Sequence, residues 1–124
     1  MSQKKILLVE DNEFNRKIVR DLLQRQPYGL LEAHDGEAGV EAARREKPDL
    51  IIMDVQLPKL SGLDATRRIR GEPETAKIPI IVVTSFALSG DDKKAMDAGA
   101  SAYLAKPYSP RQLLDAIRKM LGDA

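Results

Sequence analysis

The chain has 124 residues, with 20 Lys and Arg against 19 Asp and Glu and a net charge of +1. That length suits one domain able to bury roughly two-thirds of its unfolded surface. The near-zero charge speaks against a basic nucleic-acid footprint and against a disordered acidic tail. With no cysteine there is no disulfide framework, thiolate metal site or cysteine nucleophile, and a single histidine, His34, excludes a multi-histidine metal site.

The elements follow in order along the chain. Ile6 to Val9 is a continuous apolar run, as in strands buried on both faces of a parallel sheet. The run is too short for a signal peptide or a membrane span, so the reading is a soluble, cytoplasmic single domain over residues 1–124. Phe14, Ile18, Val19, Leu22 and Leu23 keep helical spacing until Pro27–Tyr28–Gly29, and Leu30 to Ala33 is a weaker strand. Ala38 to Lys47 reads as a helix after a cap-like Asp35 and before Pro48. Leu50 to Met53 is the third strand. Leu63, Thr66 and Ile69 mark the third helix, with Ser61 to Asp64 as a capping-box-like start. Pro79 to Val83 is the fourth strand. The fourth helix opens at Ser89-Gly-Asp-Asp92 and closes at Gly99. Ala102 to Leu104 is a short fifth strand. Ser109–Pro110 starts the last helix, whose apolar stripe is Leu113, Leu114, Ile117, Met120 and Leu121.

Strict βα alternation, five times over, predicts an α/β fold: a flavodoxin-like three-layer sandwich with a five-stranded parallel sheet in the order 2-1-3-4-5. In such sheets the ligand site lies beyond the carboxyl ends of the strands. Glu10–Asp11 leave the first strand there, Asp54 the third, Thr84–Ser85 the fourth and Lys106–Pro107 the fifth. Three neighbouring carboxylates repel one another. An all-oxygen donor set implies a hard divalent cation, and Mg²⁺ suits one or two carboxylates, waters and a phosphate oxygen. A carboxylate can act as nucleophile and form an aspartyl phosphate. Lys106 and Thr84 are natural partners for phosphoryl oxygens. Asp54 therefore reads as a phosphate acceptor paired with Mg²⁺ and Lys106.

These residues resemble the receiver domain of two-component response regulators over essentially the whole chain. The resemblance rests on Glu10–Asp11, the D-x-x-L-P-x-x-S-G stretch from Asp54 to Gly62, Thr84, and Lys106–Pro107. The stretches EDNEFNR and VTSFA resemble single-domain, DivK-like or CheY-like regulators and the receivers of hybrid kinases. The resemblance implies that Asp54 is phosphorylated. It implies that Asp11, Asp54 and the Gln56 backbone carbonyl bind Mg²⁺, with Glu10 acting directly or through water. Lys106 is then the contact to the phosphoryl group, and its bond to Pro107 is cis. Thr84 and Tyr103 are the switch pair, and Gln56 and Phe86 tune dephosphorylation. Glu10 stands where aspartate is commoner, and Ser85 where alanine is usual.

The expected function is a phosphorylation-activated switch, not an enzyme acting on other substrates. The phosphoryl donor is a phosphohistidine on a sensor histidine kinase or a histidine phosphotransfer protein, since His34 reads as an ordinary surface residue. A downstream protein is expected to read the face made by helix four, strand five and helix five. The protein is expected to be a monomer without an output domain, binding neither nucleic acid nor membrane. Rival readings meet specific objections. A flavin site needs a phosphate-cradling loop where Glu10–Asp11–Asn12–Glu13 stands. A haloacid-dehalogenase-type phosphatase needs its nucleophile after strand one and an aspartate at position 13. A receiver-like interaction module that is never phosphorylated gives no reason for an intact acidic set.

Overall fold

The structure, a computed structural model, describes residues 3–84 and 91–122, and at 91 and 92 the backbone only. Ten elements alternate along the chain. They are β1 (Lys4–Val9), α1 (Glu13–Leu23), β2 (Tyr28–Ala33), α2 (Gly36–Glu46), β3 (Leu50–Asp54), α3 (Gly62–Arg70), β4 (Ile80–Thr84), α4 (Asp91–Ala98), β5 (Ala102–Ala105) and α5 (Pro110–Leu121). All strand pairs are parallel and the order is β2-β1-β3-β4-β5, the flavodoxin-like arrangement that the alternation predicts. Ser85, Phe86 and the Ser89–Gly90 opening of the fourth helix lie outside the described residues.

Each strand face feeds its own core. Leu7, Val9, Ile51, Met53, Ile80 and Val82 pack against α2, α3 and α4 through Val40, Ala43, Ala65, Ile69 and Ala95. Ile6, Leu8, Leu50, Ile52, Ile81 and Val83 pack on the other side against Val19 and Leu23 of α1 and Leu113 and Ile117 of α5. The inner strands β3 and β4 are buried at every residue, and this is why they read as unbroken apolar runs. The same continuity carries Asp54 and Thr84, the last residues of these strands, to the carboxyl edge with almost no exposure.

Side chains set the helix starts. Asn12, Asp35, Ser61 and Ser109 each accept a hydrogen bond from the backbone N–H three residues on. At Ser109 the bond is reciprocated, with Gln112 Oε1 accepting from the Ser109 N–H at 2.7 Å, a complete capping box ahead of Pro110.

Two expectations change. The first strand pair is longer than its apolar run, and β2 starts at Tyr28, directly after Pro27. A strand at the sheet edge loses little packing at Gly29, and proline favours an extended chain beside it. The second change concerns α1. Phe14 and Ile18 belong to the expected apolar stripe, yet they are 70% and 46% exposed, while Arg16 is buried with Val19 and Leu23. Helical spacing fits either face, and the inward one is taken by a guanidinium because the Glu10 carbonyl lies there as a buried acceptor.

A carboxylate cluster bridged by a lysine

Glu10 follows β1, Asp54 ends β3, and the two strands are adjacent, in register at Val9 and Met53. Glu10 and Asp54 are 5% and 4% exposed, whereas Asp11 is open to solvent. One carboxylate oxygen from each of the three lies within 4.8 Å of the others. Lys106, one residue past β5, places its Nζ 3.2 Å from Glu10 Oε2 and 3.3 Å from Asp54 Oδ2. The Lys106–Pro107 peptide is cis.

This arrangement pushes the Asp54 carboxyl up to about 7 from its ordinary 3.8. Burial is the largest cause, followed by hydrogen bonding and charge repulsion from Glu10. Lys106 and the Gln56 N–H pull it back. Lys106 is raised: burial disfavours its charge, but Asp54 and Glu10 together outweigh that. Among the described residues, the two buried acids thus share a single cation, Lys106, and are short of positive charge. The donors are all oxygen, as a hard divalent ion requires, so the residues fit Mg²⁺.

The turn after β3 completes the cleft. The Gln56 N–H donates to Asp54 Oδ1 at 3.1 Å, and its side-chain Nε2 donates to Thr84 Oγ1 at 2.9 Å. Gln56 therefore joins the residue expected to be phosphorylated to the residue expected to switch. A cleft of about 320 Å³ is lined by Glu10, Asp11, Asn12, Asn15, Asp54, Gln56 and Lys106. Tyr103, one strand over, is half-buried against the α2–α3–α4 side of the core. His34 is exposed.

The loop from Val55 to Ser61 returns so tightly that Gly62 has no room for a side chain. A Cβ there would stand 1.9 Å from the Asp54 carbonyl oxygen and 2.9 Å from Val55 Cα, both backbone atoms. Gly62→Ala must displace either α3 or the end of β3, and overpacking of this kind costs about 2–3 kcal/mol. Urea melts are expected to show that loss; a variant within 0.5 kcal/mol of the parent, about the range of neutral surface changes, would mean the loop yields freely.

Asn12, Asn15 and Arg16, all within the EDNEFNR stretch, contribute to the site although the sequence assigns none of them a role in it. Glu10 Oε1 accepts from the Asn12 N–H at 3.2 Å and from Asn15 Nδ2 at 3.3 Å, and Arg16 Nη1 donates to the Glu10 carbonyl at 2.9 Å. The stretch signals the family, but it does not say which group each of these side chains holds.

A five-stranded parallel sheet with an acid cluster and a lysine at its carboxyl edge is the arrangement expected of a receiver domain. The chain belongs to the response regulator receiver domain family, whose model matches residues 6–118. Within it, the chain is 40% identical over 121 residues to the polar-differentiation response regulator DivK of Brucella anthropi, covering 98% of each chain, and equally identical to DivK of Brucella ovis. Among solved structures, it superposes on the receiver domain of the sensor histidine kinase PA1611 from Pseudomonas aeruginosa, with TM-score 0.91, 37% identity and coverage of 98% of this chain and 100% of that one. That structure has a magnesium ion coordinated in its active-site cleft. Chemotaxis protein CheY4 of Vibrio cholerae matches with TM-score 0.90 and 28% identity, over 97% of this chain and all of that one. Phosphorylation-mediated signalling is the general function of this family. Among the described residues, no helix is long and apolar enough to cross a membrane.

Proposed function

We propose that the protein is a DivK-like phosphorylation switch. It takes a phosphoryl group onto Asp54 from a phosphohistidine of a sensor histidine kinase or a phosphotransfer protein. The observation that carries this reading is the position of Asp54: buried, crowded by Glu10, bonded to Lys106 and the Gln56 N–H, and facing an open cleft. Glu10, Asp11, Asp54 and the Gln56 carbonyl would hold Mg²⁺, whose charge offsets that of the incoming phosphoryl oxygens.

An Asp54 carboxylate oxygen attacks phosphorus. The O–P bond forms as the donor's P–N bond breaks, and the imidazole leaves. Lys106 already lies against Asp54 Oδ2 and needs only a small movement to meet a phosphoryl oxygen. Asp54 then no longer bears its carboxylate charge, and the new acceptors lie beside the Thr84 hydroxyl, which Gln56 holds in the resting state. Thr84 and Tyr103, in register across β4 and β5 within two residues, carry the change toward α4, β5 and α5, the face offered to a downstream protein. Output by protein contact, at a cytoplasmic location, with no turnover of other substrates, completes the proposal.

Intact mass spectrometry after incubation with Mg²⁺ and acetyl phosphate tests it. One added phosphoryl group is expected in the parent and none in Asp54→Asn. If no adduct appears, binding of beryllofluoride, a stable mimic of the acyl phosphate, is measured next; failure of both would leave an interaction module that is not phosphorylated.

A further inference from the structure

Arg16 is one of very few charged side chains buried among the described residues, at 6% exposure. It reaches the acid cluster from behind. Its Nη1 donates to the Glu10 carbonyl in a buried bond of 2.9 Å. Its Nη2 meets Glu13, and its Nε lies 3.5 Å from Glu32 Oε1 on β2. Glu32 is itself held by Arg20, whose Nε and Nη2 donate to it at 2.9 and 2.8 Å. On its other side the Glu10 N–H donates to the Ala33 carbonyl at 3.0 Å. The Glu10 backbone is thus gripped at both ends, by β2 and by a guanidinium.

We infer that Arg16 is a positioning residue for the cation site: by fixing the Glu10 carbonyl, it fixes where the Asp11 carboxylate stands. The warrant is peptide planarity. The Glu10 carbonyl and the Asp11 N–H belong to one rigid plane, so orienting the carbonyl orients the bond into the Asp11 Cα. Asp11 is exposed, so its aim depends strongly on the backbone that carries it. The planar fork of arginine suits this task, because its two terminal nitrogens hold the Glu10 carbonyl and Glu13 in fixed directions while Glu32 stays within ion-pair range of Nε, which an ammonium cannot do. Residues that orient metal ligands without touching the metal change affinity by 10–100-fold when replaced.

The inference rests on the proposed Mg²⁺ role of Glu10, Asp11 and Asp54, and the sign of one measurement separates positioning from charge. Removing a cation near an Mg²⁺ site should by Coulomb's law tighten binding. Loss of geometry should weaken it. Isothermal titration with MgCl₂ is therefore run on the parent, Arg16→Met, Arg16→Lys, Arg20→Gln and Asp54→Asn, alongside urea melts. Arg16→Met and Arg16→Lys are expected to bind Mg²⁺ about tenfold more weakly. Arg20→Gln, which shares Glu13 and Glu32 with Arg16 but does not touch Glu10, should match the parent within about twofold, or bind slightly tighter. Unchanged or tighter binding by folded Arg16→Met, even with a loss of stability, overturns the inference and leaves Arg16 a structural tie. Should Arg16→Met fail to fold, Arg16→Lys is judged by the same criterion. A parent that does not bind Mg²⁺, or binding that Asp54→Asn leaves intact, overturns the metal role itself. Normal parental binding that the Arg16 variants retain overturns only the positioning.

Discussion

Asp54→Asn is expected to make the metal-free protein more stable, although it removes the residue on which the proposed chemistry depends. Asp54 and Glu10 are both nearly inaccessible to water and share one ammonium, so their negative charges are poorly matched in the folded state. The Asp54 carboxyl is held up to about 7 against an ordinary 3.8, chiefly by burial and then by Glu10. A shift of that size corresponds to about 4 kcal/mol. The cleft opens to solvent and screens part of it, which leaves about 2 kcal/mol. The sign follows from linkage. Between the two values the folded protein holds more protons than the unfolded chain, so its stability falls as pH rises across that window. Below pH 4 the acid is protonated in both states and the penalty is absent. Above about pH 7 it is complete. Asparagine keeps the shape without the charge. Thermal melts in chelator at pH 8 should place the variant roughly 8 °C higher, with the gap closing toward pH 4. A variant less stable than the parent at pH 8 would mean that the carboxylates are not crowded as the geometry requires. Saturating Mg²⁺ should reverse the order, because it stabilises the parent by binding the folded state and finds a weaker site in the variant.

The reason the cluster was legible in the sequence, while its support was not, lies in periodicity. Each strand is short and apolar, so the residue at its exit is fixed to within one position. Glu10, Asp54, Thr84 and Lys106 therefore needed only the strand order to be brought together. That order came from alternation of elements, a chain-wide property that a local misreading does not disturb. The start of α1 was different. Phe14 and Ile18 share a helical face with a plausible core stripe, and nothing in spacing alone distinguishes the inward face from the outward one. The choice was made by polar groups that come together only once the chain is folded: the Glu10 carbonyl offers a buried acceptor, and Glu32 on β2 a carboxylate within ion-pair range, so that Arg16 is buried instead. Asn15 was missed for the same reason. Its amide becomes part of the site only because α1 begins three residues earlier, at its Asn12 cap, and turns it toward Glu10. The Gln56–Thr84 bond depends on β3 and β4 being neighbours that stop at nearly the same height, a fact of register that no single motif carries.

Lys106→Met is expected to produce the opposite stability change to Asp54→Asn, and the larger one. The ammonium lies 3.2 Å from Glu10 and 3.3 Å from Asp54, and it is the cation that both are bonded to among the described residues. Its own value is raised, so its stabilising effect is complete below the unfolded 10.5 and is lost only as pH rises past the folded value. At pH 8 it acts fully. Removing one partner of a buried ion pair typically costs about 3–5 kcal/mol, because the charge left behind is stranded. Here two carboxylates are stranded, but a proton can replace the lysine on Asp54, which limits the cost. The loss should therefore be about 3 kcal/mol at pH 8 and should shrink steadily toward pH 5, where protonation is easy. Mg²⁺ should bind the variant more tightly than the parent, since the competing cation is gone and the oxygens remain. Phosphorylation by acetyl phosphate should nevertheless be slower, because binding the metal does not replace the ammonium proposed to meet the phosphoryl oxygen. Urea melts at pH 5 and pH 8, with and without Mg²⁺, read all but the last of these, and intact mass against time reads the rate. A variant within about 1 kcal/mol of the parent at pH 8 would show that water, and not Lys106, balances the two buried acids.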